Sequence, residues 1–186
     1  IRLFLYFLRF SFSKAMEFRV DFFFRIFMDL MFYAVNIAFY KVLFLHTDLL
    51  GGWNGNEIMV FISGFMVIDA LSMSLFSNNL WQLVEFINKG NLDYYLIRPV
   101  SSLFFVSLRD FAANSFVNLL MAFVILALSL SNYNGNITPG NVLFFITLLM
   151  AVTLLRYLVR MCFIIPVFWF HQGRGFDMLF FNMNRF

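Results

Sequence analysis

The chain has 186 residues, of which 62% are hydrophobic, 22% aromatic and only 12% charged. A soluble domain is nearer half apolar and a quarter charged, so one water-exposed globule cannot hide this much apolar surface. The composition is that of an integral membrane protein. A single cysteine, Cys162, excludes an internal disulfide, and two scattered histidines with that thiol give no metal-ligand spacing. The net charge of +3 does not argue for nucleic acid, and 30 phenylalanines fit lipid contact better than base stacking.

Residues 1–25 mix Phe and Leu with Arg2, Arg9, Lys14, Arg19, Arg25, Glu17 and Asp21, the make-up of an amphipathic elbow helix in the headgroup layer. Residues 26–45 supply about twenty positions, enough for roughly 30 Å of hydrocarbon. Asp29 follows Arg25 by one helical turn and is expected to pair with it. The stretch 46–57, with Gly51, Gly52, Asn54 and Gly55, reads as a loop, and Trp53 suits the interfacial aromatic belt.

Residues 58–78 are the second span. Its Ile, Leu, Val and Phe residues contribute roughly −3 to −6 kcal/mol to insertion, against about +2.5 to +3.5 for a central Asp. Asp69 is therefore tolerable but needs a polar partner, for which Ser63, Ser72, Asn114 and Asn118 are the candidates. A carboxylate at that depth is also a functional candidate for proton or cationic-substrate contact.

The elbow 79–102 follows, and 103–130 is the third span, entered through Ser101 and Ser102, with Arg109 and Asp110 in its first turns at headgroup depth. Residues 131–140 form a turn-rich loop carrying the sequon Asn136-Ile137-Thr138, and 141–160 are the fourth span. Residues 161–186 are a cytoplasmic or interfacial segment; whether the part before His171 prolongs the fourth span, the sequence leaves open.

The thirteen Lys and Arg residues are sorted by side. Neither loop 46–57 nor loop 131–140 contains one, and only Lys41 departs from the opposite side. By the positive-inside rule the N-terminus, the elbow and the C-terminal segment are expected to be cytoplasmic.

Within the elbow, Leu80, Leu83, Val84 and Ile87 recur at helical spacing and place an apolar stripe opposite Trp81, Glu85 and Asn88. Lys89 and Gly90 make a helix stop. Asn91 is expected to cap a second short helix, with Asp93 against its N-terminal dipole, and Pro99 ends that element and biases Arg98 toward extended backbone. Such an element suits docking of another protein; an interfacial loop without a partner has the same composition.

The pattern NKGNLDYYLIRP resembles the ABC-2 type permeases, the membrane subunits of ATP-binding-cassette exporters, and among them a poorly characterised bacterial branch. The matching positions are Gly90, Leu92, Asp93, Leu96 and Pro99, with Asn79 and Ile87 upstream, Glu57 before the second span and Phe168-Trp169 near the end. The resemblance implies one permease domain over 1–186, in an all-α polytopic fold with an N-terminal elbow helix and at least four spans. Family members usually have six spans, so a longer parent protein is expected. It further implies a multi-pass protein of the bacterial inner membrane, paired with an ABC ATPase subunit and with a second permease copy or paralogue. The coupling surface would comprise Glu85, Gly90, Leu92, Asp93, Tyr94, Tyr95, Leu96, Arg98 and Pro99, with Leu92, Tyr94, Tyr95 and Leu96 as an apolar plug.

No Walker A loop, G-x-S-x-G elbow, H-E-x-x-H pair or Cys-His couple occurs. The chain is thus expected to be no enzyme and to need no cofactor, ATP being bound by the partner. An intramembrane enzyme would require Asp69, Asp110 and His171 to converge. An ATP-independent channel or pore, or a membrane scaffold, fits the composition as well as a transporter does.

Overall fold

The computed structural model describes residues 2–47, 49–97, 101–133, 135 and 137–170, and these are helical with short connections. In chain order the helices are α1 (Arg2–Glu17), α2 (Arg19–Phe44), α3 (Gly55–Ser72), α4 (Asn78–Asn88), α5 (Asp93–Leu96), α6 (Ser102–Leu108), α7 (Ala113–Ser131), α8 (Pro139–Ile164) and α9 (Val167–Phe170). A π-helical turn, Met73–Ser77, joins α3 to α4 without a break. Among the described residues, four helical stretches are long and apolar enough to cross a membrane: Arg19–Phe44, Gly55–Asn88, Ala113–Ser131 and Pro139–Trp169.

The first helix is shorter than the expected 1–25. It ends at Glu17, and Phe18 forms a kink beyond which Arg19, Asp21 and Arg25 already belong to the first spanning helix. Arg25 does not pair with Asp29; its Nε donates to Asp21 Oδ2 at 2.8 Å. That choice leaves Asp29 to accept from the Asn118 side-chain amide across the α2–α7 contact.

The connection from α2 to α3 is a tight reversal. Gly51 and Gly52 both have positive φ (60° and 88°), and Leu50 and Trp53 exchange two backbone hydrogen bonds across them. Two consecutive left-handed residues match the twist of a two-residue turn, a geometry that glycine adopts without strain. Glu57 then closes the first turn of α3 by accepting from the Asn54 N–H at 2.8 Å. At the other loop Pro139 occupies the first turn of α8, where no N–H is needed.

α3 is the central helix, packed against α7 and α8, while α2 also lies on α7. Half of its spanning window is buried within the chain, against 11% for α2 and 17% for the α8 stretch. The outer helices therefore turn most of their apolar surface outward, as residues such as Phe24, Phe32, Phe144 and Leu155 do. Gly64 permits close approach of α3 to α8: a Cβ there would lie 3.1 Å from the ring tip of Phe145. The main core comprises Tyr33, Ile62, Met66, Val67, Ala122, Leu126 and Leu149 among others.

Two expected boundaries change. The third span is not one helix from 103 to 130: it breaks after Leu108 and resumes at Ala113. The fourth runs on past 160 to Ile164, turns at Ile165-Pro166, and ends in α9, so the apolar tail prolongs the span. Pro166 has no N–H to continue the ladder, and its carbonyl instead accepts from Trp169.

Candidate functional site

The elbow grows directly out of the second span. From Gly55 to Asn88 the helical stretch covers 34 residues, about 51 Å at 1.5 Å per residue, against roughly 30 Å of hydrocarbon. The stretch is therefore longer than the apolar layer it would cross. The expected stripe is in place: Leu80, Leu83 and Val84 are buried, Ile87 is half-buried, and Trp81, Glu85 and Asn88 face outward. The stripe packs on Ile164 and Val167 at the end of the fourth span, with Val106 of α6 alongside.

The stop at Gly90 follows from backbone geometry. Its φ is +68°, and the Gly90 N–H donates to Ile87 O at 3.2 Å while the Asn91 N–H donates to Phe86 O at 3.0 Å. These two bonds satisfy carbonyls that the helix end leaves open, and the left-handed residue between them is one that favours glycine. Glu85 and Lys89 pair across one turn just before the stop, both well exposed.

Beyond the stop, α5 starts at Asp93 with Leu92 at its cap position, so Asn91 does not cap it. The Leu96 and Ile97 amides bond back to Leu92 O and Asp93 O, which closes the single turn without a side-chain cap. Leu92 turns inward onto the chain's own cluster of Leu83, Val84 and Ile164. Asp93, Tyr94 and Leu96 are exposed, and Ile97, not anticipated from the sequence, is 80% exposed beside them. Tyr95 lies in α5, but its side chain, like Arg98 and Pro99 as a whole, is outside the described residues.

Asp69 has a partner the sequence did not suggest. Arg156 of α8 meets it at 3.2 Å, and the same guanidinium lies 5.7 Å from the centroid of the Phe65 ring. Ser63 and Ser72 bond to carbonyls of their own helix instead, and Asn118 goes to Asp29. One turn further along α8, the buried Arg160 donates to Ser77 Oγ at 3.1 Å and lies over the Trp81 ring. Helical spacing on α8 thus carries two cations from the second span to the first turn of the elbow. Asp110 and Asp69 take different partners on different helices, so they do not form a shared acid pair, and His171 lies outside the described residues.

The densest polar contacts were not foreseen at all. Asp110, in the break of the third span, accepts at its carboxylate from Gln82 Nε2 (2.6 Å), Lys14 Nζ (3.3 Å) and Ser11 Oγ (3.4 Å). The Asn79 side chain reads both of its backbone groups, accepting from its N–H and donating to its carbonyl, each at 2.8 Å. In the sequence Asn79 stood out only as a position upstream of Gly90 that matches the family pattern.

Among the described residues, four membrane-length helices define a multi-pass, all-α membrane protein. A family model described as ABC-2 family transporter protein matches residues 30–183. The chain belongs to that family, and is a membrane permease of the ABC transporter class rather than a member of an enzyme family. Among curated proteins and solved structures, none matches it.

Proposed function

We propose that the chain is the membrane-spanning subunit of an ATP-binding-cassette exporter, and that the elbow from Asn79 to Pro99 is the element a separate ATPase subunit grips. The observation that carries this reading is the combination of a long, unbroken helix with a hard stop at Gly90 and an outward ledge just beyond it. Asp93, Tyr94, Leu96 and Ile97 stand exposed there, while Leu80, Leu83 and Val84 anchor the helix from behind. A ledge of aromatic and aliphatic side chains beside a carboxylate has the make-up of an interface centre. A push on it passes into α3, the helix with the most buried surface in the membrane.

On this reading the ATP is bound and hydrolysed by the partner, the N-terminus and elbow are cytoplasmic, and the membrane is the bacterial inner membrane. A second permease copy or paralogue completes the pathway. The test is to purify the protein with its neighbours in native-like bilayers and ask for co-eluting ATPase. Capture by the wild type and its loss with Asp93→Lys supports docking at the elbow. A protein that conducts ions or solute without nucleotide, and captures no ATPase, is a channel instead.

A further inference from the structure

A helix that breaks without Pro or Gly leaves backbone groups that its own ladder no longer serves, and they must find partners elsewhere. The break Arg109–Ala112 has neither residue. Three consecutive N–H groups in it, those of Asp110, Phe111 and Ala112, each find a partner on a different part of the chain. Asp110 N–H donates to Asn79 Oδ1 of α4 at 2.8 Å, and Phe111 N–H donates to Ser11 Oγ of α1 at 3.0 Å. Ala112 N–H donates to Ser74 O at 3.3 Å. That last carbonyl belongs to the π-helical turn Met73–Ser77, where the wider ladder re-aims carbonyls away from their usual partners.

The Asp110 side chain then binds the same elements together, taking Gln82 from α4 and both Ser11 and Lys14 from α1. The side chain of Phe111 is buried beneath, and a ring contact at 5.7 Å joins Phe12 of α1 to Phe116 of α7 nearby. Two irregularities in neighbouring helices, a widened turn in one and a break in the other, thus face each other and are pinned by one residue.

We propose that the break at 109–112 is the hinge of the third span and that Asp110 is its pin, a positioning residue that ties the joint between α6 and α7 to α1 and to the start of the elbow during the transport cycle. The inference rests on the elbow being the element driven by the ATPase, but the hinge and its pin can be measured without it. In this arrangement α6 stays with the elbow cluster through Val106 and the Ser107–Tyr157 hydrogen bond (2.6 Å), while α7 follows α3. Displacement of α4 reaches the Asp110 backbone through Asn79 and the Asp110 carboxylate through Gln82, and so changes the angle between α6 and α7. Lys14 and Ser11 carry the same displacement to the interfacial helix.

The test places spin labels at Leu103 and Leu120, exposed positions on either side of the break, in the full chain with Cys162→Ser, reconstituted in nanodiscs with and without the co-purifying ATPase. Wild type should give one narrow distance that shifts when the ATPase is trapped with ADP and vanadate. Asp110→Ala should broaden that distance even without the ATPase, keep ATPase capture, and lower the permease-stimulated hydrolysis by roughly fivefold or more. If Asp110→Ala does not fold, Asp110→Asn serves: it keeps the backbone bonds to Asn79 and loses the attraction to Lys14, so the same effects appear at smaller amplitude. Distances as narrow as wild type in a folded Asp110 variant overturn the pin. A broadened hinge with unchanged stimulation overturns its part in coupling. Failure of the wild type to capture any ATPase overturns the docking reading and the transmission together, and the ATPase-free distances then decide the pin alone.

Discussion

Replacing Gly90 isolates the conformational part of the elbow's stop. At φ +68° a Cβ would meet nothing within 4 Å, so Gly90→Ala introduces no clash with a neighbour. Its whole cost is the left-handed backbone, about 1–2 kcal/mol for an ordinary L-residue. Asn tolerates that region, so Gly90→Asn should cost well under half as much. Pro would lose the donor to Ile87 O and cannot reach positive φ, so Gly90→Pro removes the stop. Because the strain sits at a helix end, it should favour local opening rather than global unfolding. A cost of 1–2 kcal/mol is a change of roughly 5–30-fold in the open population. The amides of Lys89, Gly90 and Asn91, which donate to Glu85 O, Ile87 O and Phe86 O, should exchange faster by that factor in Gly90→Ala and hardly faster in Gly90→Asn. Hydrogen exchange on the protein in nanodiscs reads this directly. Equal, wild-type exchange in both variants would refute the left-handed stop.

Charge reversal at Asp93 should reduce partner-stimulated ATP hydrolysis while membrane insertion stays normal, measured as hydrolysis in reconstituted vesicles and yield in the membrane fraction. Asp69→Asn and Arg156→Ala should each lower the thermal midpoint, and the double variant should fall short of their sum by roughly 0.5–3 kcal/mol, the range for contacting pairs; strict additivity would deny the 3.2 Å pair. Gly64→Leu should destabilise the α3–α8 contact by about 1–3 kcal/mol by overpacking against Phe145 and Leu149, whereas Gly64→Ala needs only a small shift of the Phe145 ring and should cost less. A cysteine at Lys89 should react only with reagents that reach the cytoplasm; labelling from outside would invert the topology and remove the elbow from any cytosolic ATPase.

What the sequence disclosed and what it hid divide along the range of the interactions. The spans, the stripe of Leu80, Leu83 and Val84, and the Gly90 stop are encoded within a few residues of themselves, by length, period and backbone freedom. Partner choice is not. Asp29 had an apparent mate one turn away in Arg25, but Asp21 lies equally close on the other side and takes it. Asp69 had hydroxyls and amides within reach of its own and the next helix, yet a cation on α8 prevails. A charge-assisted bond is about twice as strong as a neutral one, so a guanidinium outcompetes a hydroxyl once packing brings it near. That α3 packs on α8 is a fact of the fold, with no local signal in either segment. Leu92 shows the same limit in reverse: the family pattern groups it with the outward ledge, and the cluster behind the elbow draws it inward.

The break in the third span was hidden for a further reason. Helix breaks are read from Pro and Gly, and Arg109-Asp110-Phe111-Ala112 contains neither; next to charged residues, an apolar run simply looks shorter. Here the break is imposed from outside, by three acceptors on α1, α4 and the π-helical turn that compete successfully with the helix's own carbonyls. The sparse polar residues of this chain therefore divide into two kinds. Some, such as Asp69 and Arg156, neutralise one another across spans. Others, such as Asn79, Ser11 and the Ser74 carbonyl, serve the backbone and hold open an irregularity that apolar packing alone would anneal into a straight helix. Evolution of a static scaffold has no need of the second kind, since a regular helix satisfies its own groups at no cost. A joint that three separate elements hold in place is what the proposed hinge between α6 and α7 requires.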